Sequence, residues 1–316
     1  MTHVTLSELH SKRELARAFG CTVSDLRRLS TGDRQALYQP IRLPKKGAHR
    51  TGQYRVVYKV VDPTLRQFHK NLASVLATSR TFPPCVQGFV RHRSIVTNAR
   101  QHLARRFVIS ADIERFFESI TLQRVQSVFV RLGCAASIAR TLAAIATLNG
   151  ALVQGANASP VLANLACADL DQDMLDLSAS VGCTYTRYAD DITISGDENI
   201  PTHSDIAELL AKHGFALRDD KVVVQRRGRK QYVTGLSVFD SQRPRLPPHV
   251  KRQLRLILHF ASKHGFEDHF DRIGLEGEQR LFEIRRVEGW LRFMRSVEPA
   301  LAAKLEAQYE DARAID

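Results

Sequence analysis

Tyr188-Ala189-Asp190-Asp191 lies between two β-rich flanks, residues 183–187 and 192–195, and its reading decides the rest of the chain. Adjacent carboxylates repel, and along a regular strand they would point to opposite faces. An ordinary hairpin turn accounts for an Asp-Asp pair, because Asp is a common turn residue. A pair placed at the turn also suits a divalent cation held between it and a third acid. The run Val108-Ile109-Ser110-Ala111-Asp112-Ile113 supplies that acid, since it reads as a buried strand ending in a carboxylate. Asp112, Asp190 and Asp191, with the Ile113 backbone beside them, are thus the candidate ligands for two Mg²⁺ ions. Two such ions roughly 3.5 to 4 Å apart activate an attacking hydroxyl and stabilise a leaving pyrophosphate in nucleotidyl transfer.

Composition agrees with a nucleic-acid enzyme. The 316 residues are 44% hydrophobic, enough for a substantial core, and carry a net charge of +13. The basic excess is spread over Arg91-His92-Arg93, Arg105-Arg106, Arg226-Arg227-Gly228-Arg229-Lys230 and Arg285-Arg286. Such a surface attracts phosphate backbone or an anionic membrane. No run of about eighteen apolar residues exists, and the best candidate, residues 135–153, is interrupted by Arg140 and Asn149. The N-terminus has no apolar h-region. The expectation is therefore no membrane partner and a cytoplasmic location. Cys21, Cys85, Cys134, Cys167 and Cys183 are odd in number and lack Cys-x-x-Cys spacing, so reduced, buried thiols are expected rather than disulfides or zinc.

The pattern of apolar residues gives the elements. Residues 11–30 read as two short helices broken at Gly20, either a DNA-reading helix-turn-helix or a packing element. Leu43-Pro44-Lys45-Lys46-Gly47 reads as a turn into a strand over residues 53–61, which Asp62-Pro63 ends. Helices are expected over 65–76, 121–132, 135–148, 161–177 and 203–213. The last of these stops at Gly214. With the strands between them they predict an α+β fold, an antiparallel sheet with helices on one face. After the stiff segment Pro244-Arg245-Leu246-Pro247-Pro248, helices over 250–260, 278–295 and 299–313 make a small bundle. Domain boundaries are expected at 1–107, 108–241 and 242–316. Trp290, the single tryptophan, shares a helix with Leu291, Phe293 and Met294 and is expected in its core rather than as a base-stacking platform.

Several motifs together resemble reverse transcriptases, and among them retron reverse transcriptases. Ala111-Asp112-Ile113-Glu114-Arg115-Phe116-Phe117 is similar to the first palm motif. Gln154-Gly155-Ala156-Asn157-Ala158-Ser159-Pro160, with Leu162-Ala163-Asn164-Leu165, is similar to the second, and Tyr188-Ala189-Asp190-Asp191 to the third. Asn98-Ala99-Arg100-Gln101-His102 and Val233-Thr234-Gly235 resemble elements that separate retron enzymes from group II intron relatives. The resemblance runs from about Leu15 to the C-terminal helices. Val153 and Asn157 depart from it, standing where the family has prolines. A loop without those prolines is less rigid in the unbound chain.

The resemblance implies a right-hand polymerase with fingers, palm and helical thumb, copying part of a structured non-coding RNA into RNA-linked single-stranded DNA. That RNA is template and primer, primed from a guanosine 2′-hydroxyl. An effector protein acts with the enzyme in anti-phage defence. It also implies site roles. Phe117 packs against the sugar of the incoming dNTP, unless it is core. Gln154 and Gly155 lie at the nucleotide, and Lys221 near the leaving pyrophosphate. Arg55 and Arg66 grip the triphosphate or are plain surface charge. Asn98 and His102 orient template RNA or hydrogen-bond the fingers to the palm, Thr234 and Gly235 meet nucleic acid near the primer grip, and Arg285 and Arg286 grip an RNA stem. Two other readings stay open: an RNA-binding scaffold without catalysis, and a group II intron-like or abortive-infection enzyme. The intact acids speak against the scaffold. The lack of a maturase or endonuclease extension speaks against the intron form.

Overall fold

The computed structural model describes residues 5–44, 52 and 54–316. The chain divides into two compact units. The first comprises 1–92, 110–193 and 199–223; the second comprises 93–109, 194–198 and 224–316. The second unit therefore starts before the proline-rich joint and takes in the stretch that leads to Asp112.

The first unit opens with α1 (Lys12–Phe19) and α2 (Val23–Thr31), both started by capping boxes, at Ser11 with Glu14 and at Thr22 with Asp25. Gly20, at φ 68°, ends α1. Leu15, Phe19, Leu26 and Leu29 are buried, and Phe19 stacks on Phe68 of α3 (Pro63–Ser79) at 4.5 Å. These helices dock on α3 and on α7 (Ala136–Ala146), so they are packing elements of the first unit rather than a separate DNA reader. Strand β2 (Tyr54–Val60) pairs antiparallel with β1 (Tyr38–Pro44). Leu43-Pro44 is thus the end of a strand, not a turn; Lys45, Lys46 and Gly47 lie outside the described residues. Pro40 and Pro44 hid β1 from sequence reading, and a two-stranded ribbon tolerates prolines on an edge.

The remaining elements are α4 (Ile95–Arg100), β3 (Phe107–Asp112), α5 (Phe116–Ser119), α6 (Leu122–Arg131), β4 (Thr147–Leu148), β5 (Ala151–Leu152), α8 (Ser159–Ala166), α9 (Ala168–Ser180), β6 (Thr184–Tyr188), β7 (Asp191–Gly196), α10 (His203–Lys212), β8 (Val223–Arg226), β9 (Tyr232–Val233) and β10 (Leu236–Ser237). A four-stranded sheet has the order β6-β7-β3-β8, and α9 packs on β6. The expected helix over 161–177 is two helices that meet at Cys167, and residues 147–148 form a strand instead of ending α7.

In the second unit α11 (Pro248–Arg272), α12 (Glu278–Val297) and α13 (Pro299–Ile315) pack together, α11 being kinked at Gly265. Their core joins Leu258, Phe266, Leu291, Met294 and Leu305. Trp290 is partly buried against that core, 5.8 Å from Phe293. The five cysteines are free thiols. Among the described residues no helix is long and apolar enough to cross a membrane.

Among the described residues two histidines lie fully inside. His69 of α3 has no hydrogen-bond partner on either ring nitrogen, and His102 Nδ1 is 2.7 Å from Ser195 Oγ. Burial depresses both, His69 to about 4 and His102 to about 3 against an ordinary 6.5, with Arg105 assisting at His102. The unfolded chain binds these protons more readily, so their contribution is complete above pH 6.5 and is lost as pH falls through the window down to those folded values. Stability should drop by up to about 1.4 kcal/mol per pH unit for each histidine. Denaturant titrations at pH 7 and pH 5 check this, and His69→Leu should flatten the dependence. Equal slopes for parent and variant would contradict it.

Candidate active site

The acidic tetrapeptide is a two-residue hairpin between β6 and β7, with Ala189 and Asp190 in the turn and Asp191 opening β7. Ala189 has φ 60°, a left-handed conformation that costs a residue with a Cβ roughly 1 kcal/mol or more. The surroundings hold it there. Arg187, fully buried, donates from Nη1 to the Ala189 carbonyl at 3.1 Å and to Asn164 Oδ1 at 3.1 Å. Its Nε and Nη2 form a bidentate pair with buried Asp171, both at 2.7 Å, and Tyr185 Oη donates to the same carboxylate at 2.8 Å. Asn164 in turn donates to the Gly88 carbonyl at 2.8 Å. Gly88 lies so close under the turn that a Cβ there would run into the Ala189 nitrogen. Asn164 belongs to the second motif and Arg187 immediately precedes the third, so this network joins the two motifs from behind.

Backbone hydrogen bonds set the neighbouring strand. Ile113 N–H donates to the Asp190 carbonyl at 3.0 Å, and Arg218 N–H donates to the Asp112 carbonyl at 2.9 Å. Asp112 is buried, Asp190 half-buried and Asp191 exposed at its outer edge. Although its outer edge is exposed, the Asp191 carboxyl is desolvated within the turn, and that together with the neighbouring Asp190 charge pushes it up to about 6. Burial also raises Asp190, opposed by its own backbone N–H and by the charges of Arg55, Arg218 and Arg187. Lys221 pairs with the Asp112 carboxylate. Among the described residues no three His, Cys, Asp or Glu side chains close into a metal-ligating group. The donors themselves are hard oxygens, two of them adjacent and mutually repelling, and this chemistry fits a divalent cation.

The other expected site residues fall into clear places. Phe116 is the core ring, buried and stacked near Phe215 at 6.2 Å. Phe117 is half-exposed, facing Phe89 at 6.4 Å. The Gln154 carbonyl accepts from Tyr58 N–H at 2.8 Å, which ties the turn of the second motif to β2. Gly155, at φ 115°, has no room for a Cβ, because the Tyr58 carbonyl occupies that place. Arg55 is exposed and its charge reaches Asp190. Arg66 instead donates to the Val60 and Val61 carbonyls at 3.0 to 3.3 Å, capping the end of β2.

In the second unit Asn98 is buried and His102 is fully buried, which favours the reading in which they join parts of the protein over the one in which they meet nucleic acid. Asn98 lies in α4 and His102 in the turn that follows it, and i, i+4 spacing alone does not say which way such residues point. Thr234 and Gly235, at φ 45° and 84°, form the turn between β9 and β10. Two positive values mark a type I′ hairpin, which needs glycine more than it needs a ligand. Thr234 Oγ1 donates to the Ile95 carbonyl at 3.3 Å, and α4 packs on this hairpin. The two elements that resemble retron enzymes therefore form one packing unit. Arg286 pairs with Glu283, while Arg285 is exposed. Sequence reading missed Arg187, Asp171 and Gly88; the one local signal was Arg187, a charged residue inside a strand just before the acidic turn.

With this geometry in view, the family description "Reverse transcriptase (RNA-dependent DNA polymerase)" matches residues 43–244. The chain is similar to the retron Mx65 reverse transcriptase of Myxococcus xanthus, 31% identical over 88% of this chain and 72% of the relative. It belongs to the retron reverse transcriptases. The retron Mx162 enzyme of Myxococcus xanthus is 30% identical over 96% of this chain and 67% of its own. The retron Ec86 enzyme of Escherichia coli is 30% identical over 76% and 72%. A solved telomerase from Candida albicans with a telomeric RNA fragment aligns over 84% of this chain and 56% of that one, at TM-score 0.44 and 10% identity. The enzyme is thus an RNA-directed DNA polymerase of α+β, right-hand type, in a family that uses divalent metal ions.

Proposed function

We propose that the enzyme reverse transcribes part of a structured non-coding RNA into single-stranded DNA that stays joined to that RNA, priming from a guanosine 2′-hydroxyl. It works in the cytoplasm with an effector protein in defence against phage. The observation that carries this reading is the braced Ala189-Asp190-Asp191 turn beside Asp112, in a chain whose α4 and β9–β10 elements resemble those of retron enzymes. Asp112, Asp190, Asp191 and the Ile113 carbonyl would hold two Mg²⁺ ions, which supply a more nucleophilic primer oxygen and charge stabilisation of the leaving pyrophosphate.

The chain's own residues do the rest. Arg55 and Lys221 place positive charge where the triphosphate binds, and Arg66 shapes the strand that presents Arg55. Gln154 and Gly155 present backbone on the nucleotide side, held against Tyr58. Phe117, half-exposed while Phe116 fills the core, packs against the sugar and excludes a 2′-hydroxyl. Phe117→Val should then raise ribonucleotide incorporation relative to deoxynucleotide on the order of 10- to 100-fold. Single-nucleotide extension with each substrate measures this, and an unchanged ratio would remove Phe117 from the sugar site.

The overall reading is tested by isolating the protein from cells with its bound nucleic acid, beside an Asp190→Ala, Asp191→Ala variant. A discrete short DNA, absent from the variant and released from RNA by a debranching enzyme, is the expected result. Bound RNA with no DNA from either protein, and no extension in vitro with dNTPs and Mg²⁺, would overturn it.

A further inference from the structure

We propose that a clamped knot of six cations in the second unit, Arg105, Arg106, Arg226, Arg227, Arg229 and Lys230, is a docking surface for the backbone of an RNA stem. The inference rests on the RNA-templated reading above and names the surface that would hold that RNA.

The knot joins two segments about 120 residues apart in sequence. Arg227 N–H donates to the Arg106 carbonyl at 2.7 Å, and Arg227 Nη1 to the Ala104 carbonyl at 2.6 Å. Fully buried Gln231 closes the clamp, its Nε2 donating to the carbonyls of Arg105, Arg106 and Gln225 at 3.1 to 3.4 Å. The backbone is therefore built to bring like charges together. Arg106 and Arg226 both lie within 6 Å of the Phe107 ring centroid, at 5.4 and 5.8 Å, and Arg227 lies 5.7 Å from Phe239. Asp197, bonded to Arg105 and to the Arg106 N–H, is the one acid that pairs with these six residues among those described. Arg106, Arg226, Arg227, Arg229 and Lys230 are exposed.

Repulsion among clustered cations is relieved by a polyanion whose charges repeat along a backbone. The rings point to the kind of nucleic acid. Proteins that hold single strands offer open aromatic faces for bases to stack on, whereas here Phe107 and Phe239 carry guanidinium groups. Phe107 is partly buried under two guanidinium groups and Phe239, 52% exposed, carries one; a surface so dominated by cations reads phosphates and shape, which is how a double-stranded RNA stem is bound.

The test uses the full chain with Arg106→Gln, Arg226→Gln, Arg229→Gln and Lys230→Gln combined, and three probes: an RNA hairpin, an unstructured RNA of equal length, and phosphatidylserine vesicles. On the hairpin the slope of log affinity against log salt should fall in magnitude by about 3 for the four charges removed, with less change on the unstructured RNA. An unchanged slope with an unchanged thermal melt overturns the proposal. So does an equal loss on both RNAs, or vesicle binding that the substitutions abolish while hairpin binding persists. Should the fourfold variant fail to fold, Arg229→Gln with Lys230→Gln, both at exposed positions, should still lower the slope by about 1.5. Extension of a short annealed primer on an RNA template is followed in parallel. A parent protein that extends nothing counts against the polymerase reading, whereas extension by both proteins with an unchanged slope counts against the knot alone.

Discussion

Asp190→Asn should abolish DNA synthesis while leaving the fold intact. The substitution keeps size and hydrogen-bonding capacity but removes one of the two adjacent carboxylates that would hold the catalytic ions. Loss of several kcal/mol of transition-state charge stabilisation corresponds to a rate fall on the order of 10³-fold or more. Stability should hold or rise, because the folded state no longer sets Asp190 against Asp191. Single-turnover primer extension and a thermal melt on the same preparation give both numbers. Extension within about ten-fold of the parent, a barrier change of only about 1.4 kcal/mol, would show that Asp190 is not part of the catalytic centre.

Arg187→Met should damage the enzyme in two separable ways. Arg187 is fully buried and bidentate to Asp171, so removing it leaves Asp171 uncompensated and costs about 3 to 5 kcal/mol of stability. Pairing it with Asp171→Leu removes the orphaned charge, and a well-packed apolar pair is often no less stable than a buried ion pair. The double variant should therefore recover part of that loss, short of the parent because the buried Tyr185 hydroxyl and Asn164 oxygen lose their partners, each at about 1 to 3 kcal/mol. Activity should not return, because the Ala189 carbonyl still lacks its donor and the left-handed turn is free to relax. A catalytic carboxylate misplaced by about 1 Å costs on the order of 10²-fold. If the double variant regains both melting temperature and extension rate, the network is a fold element alone and does not position the turn.

Much of the site was legible in the residues. Asp190-Asp191 between β-rich flanks, and Asp112 closing an apolar run, are local patterns that carry their chemistry in one dimension. The helices of the bundle were legible too, because a 3.6-residue period shows in a single stretch. Strand β1 was not, since Pro40 and Pro44 contradict a strand unless the pairing partner is known. The inward direction of Asn98 and His102 was equally hidden: the sequence marks polar residues without saying which side of the chain the fold will cover.

The sequence by itself determined the chemistry, because oxygen ligands, aromatic rings and basic runs are properties of residue type. Tertiary structure decided which of those groups are available. It turned Arg66 onto strand carbonyls, put Phe116 in the core and left Phe117 outside, and buried Arg187 behind the turn it supports. It also drew Arg105-Arg106 and residues 226–230 into one clamped patch. The physical reason is that burial and hydrogen-bond satisfaction belong to the folded chain: a buried donor must find its acceptor wherever the fold places one, often far away in sequence.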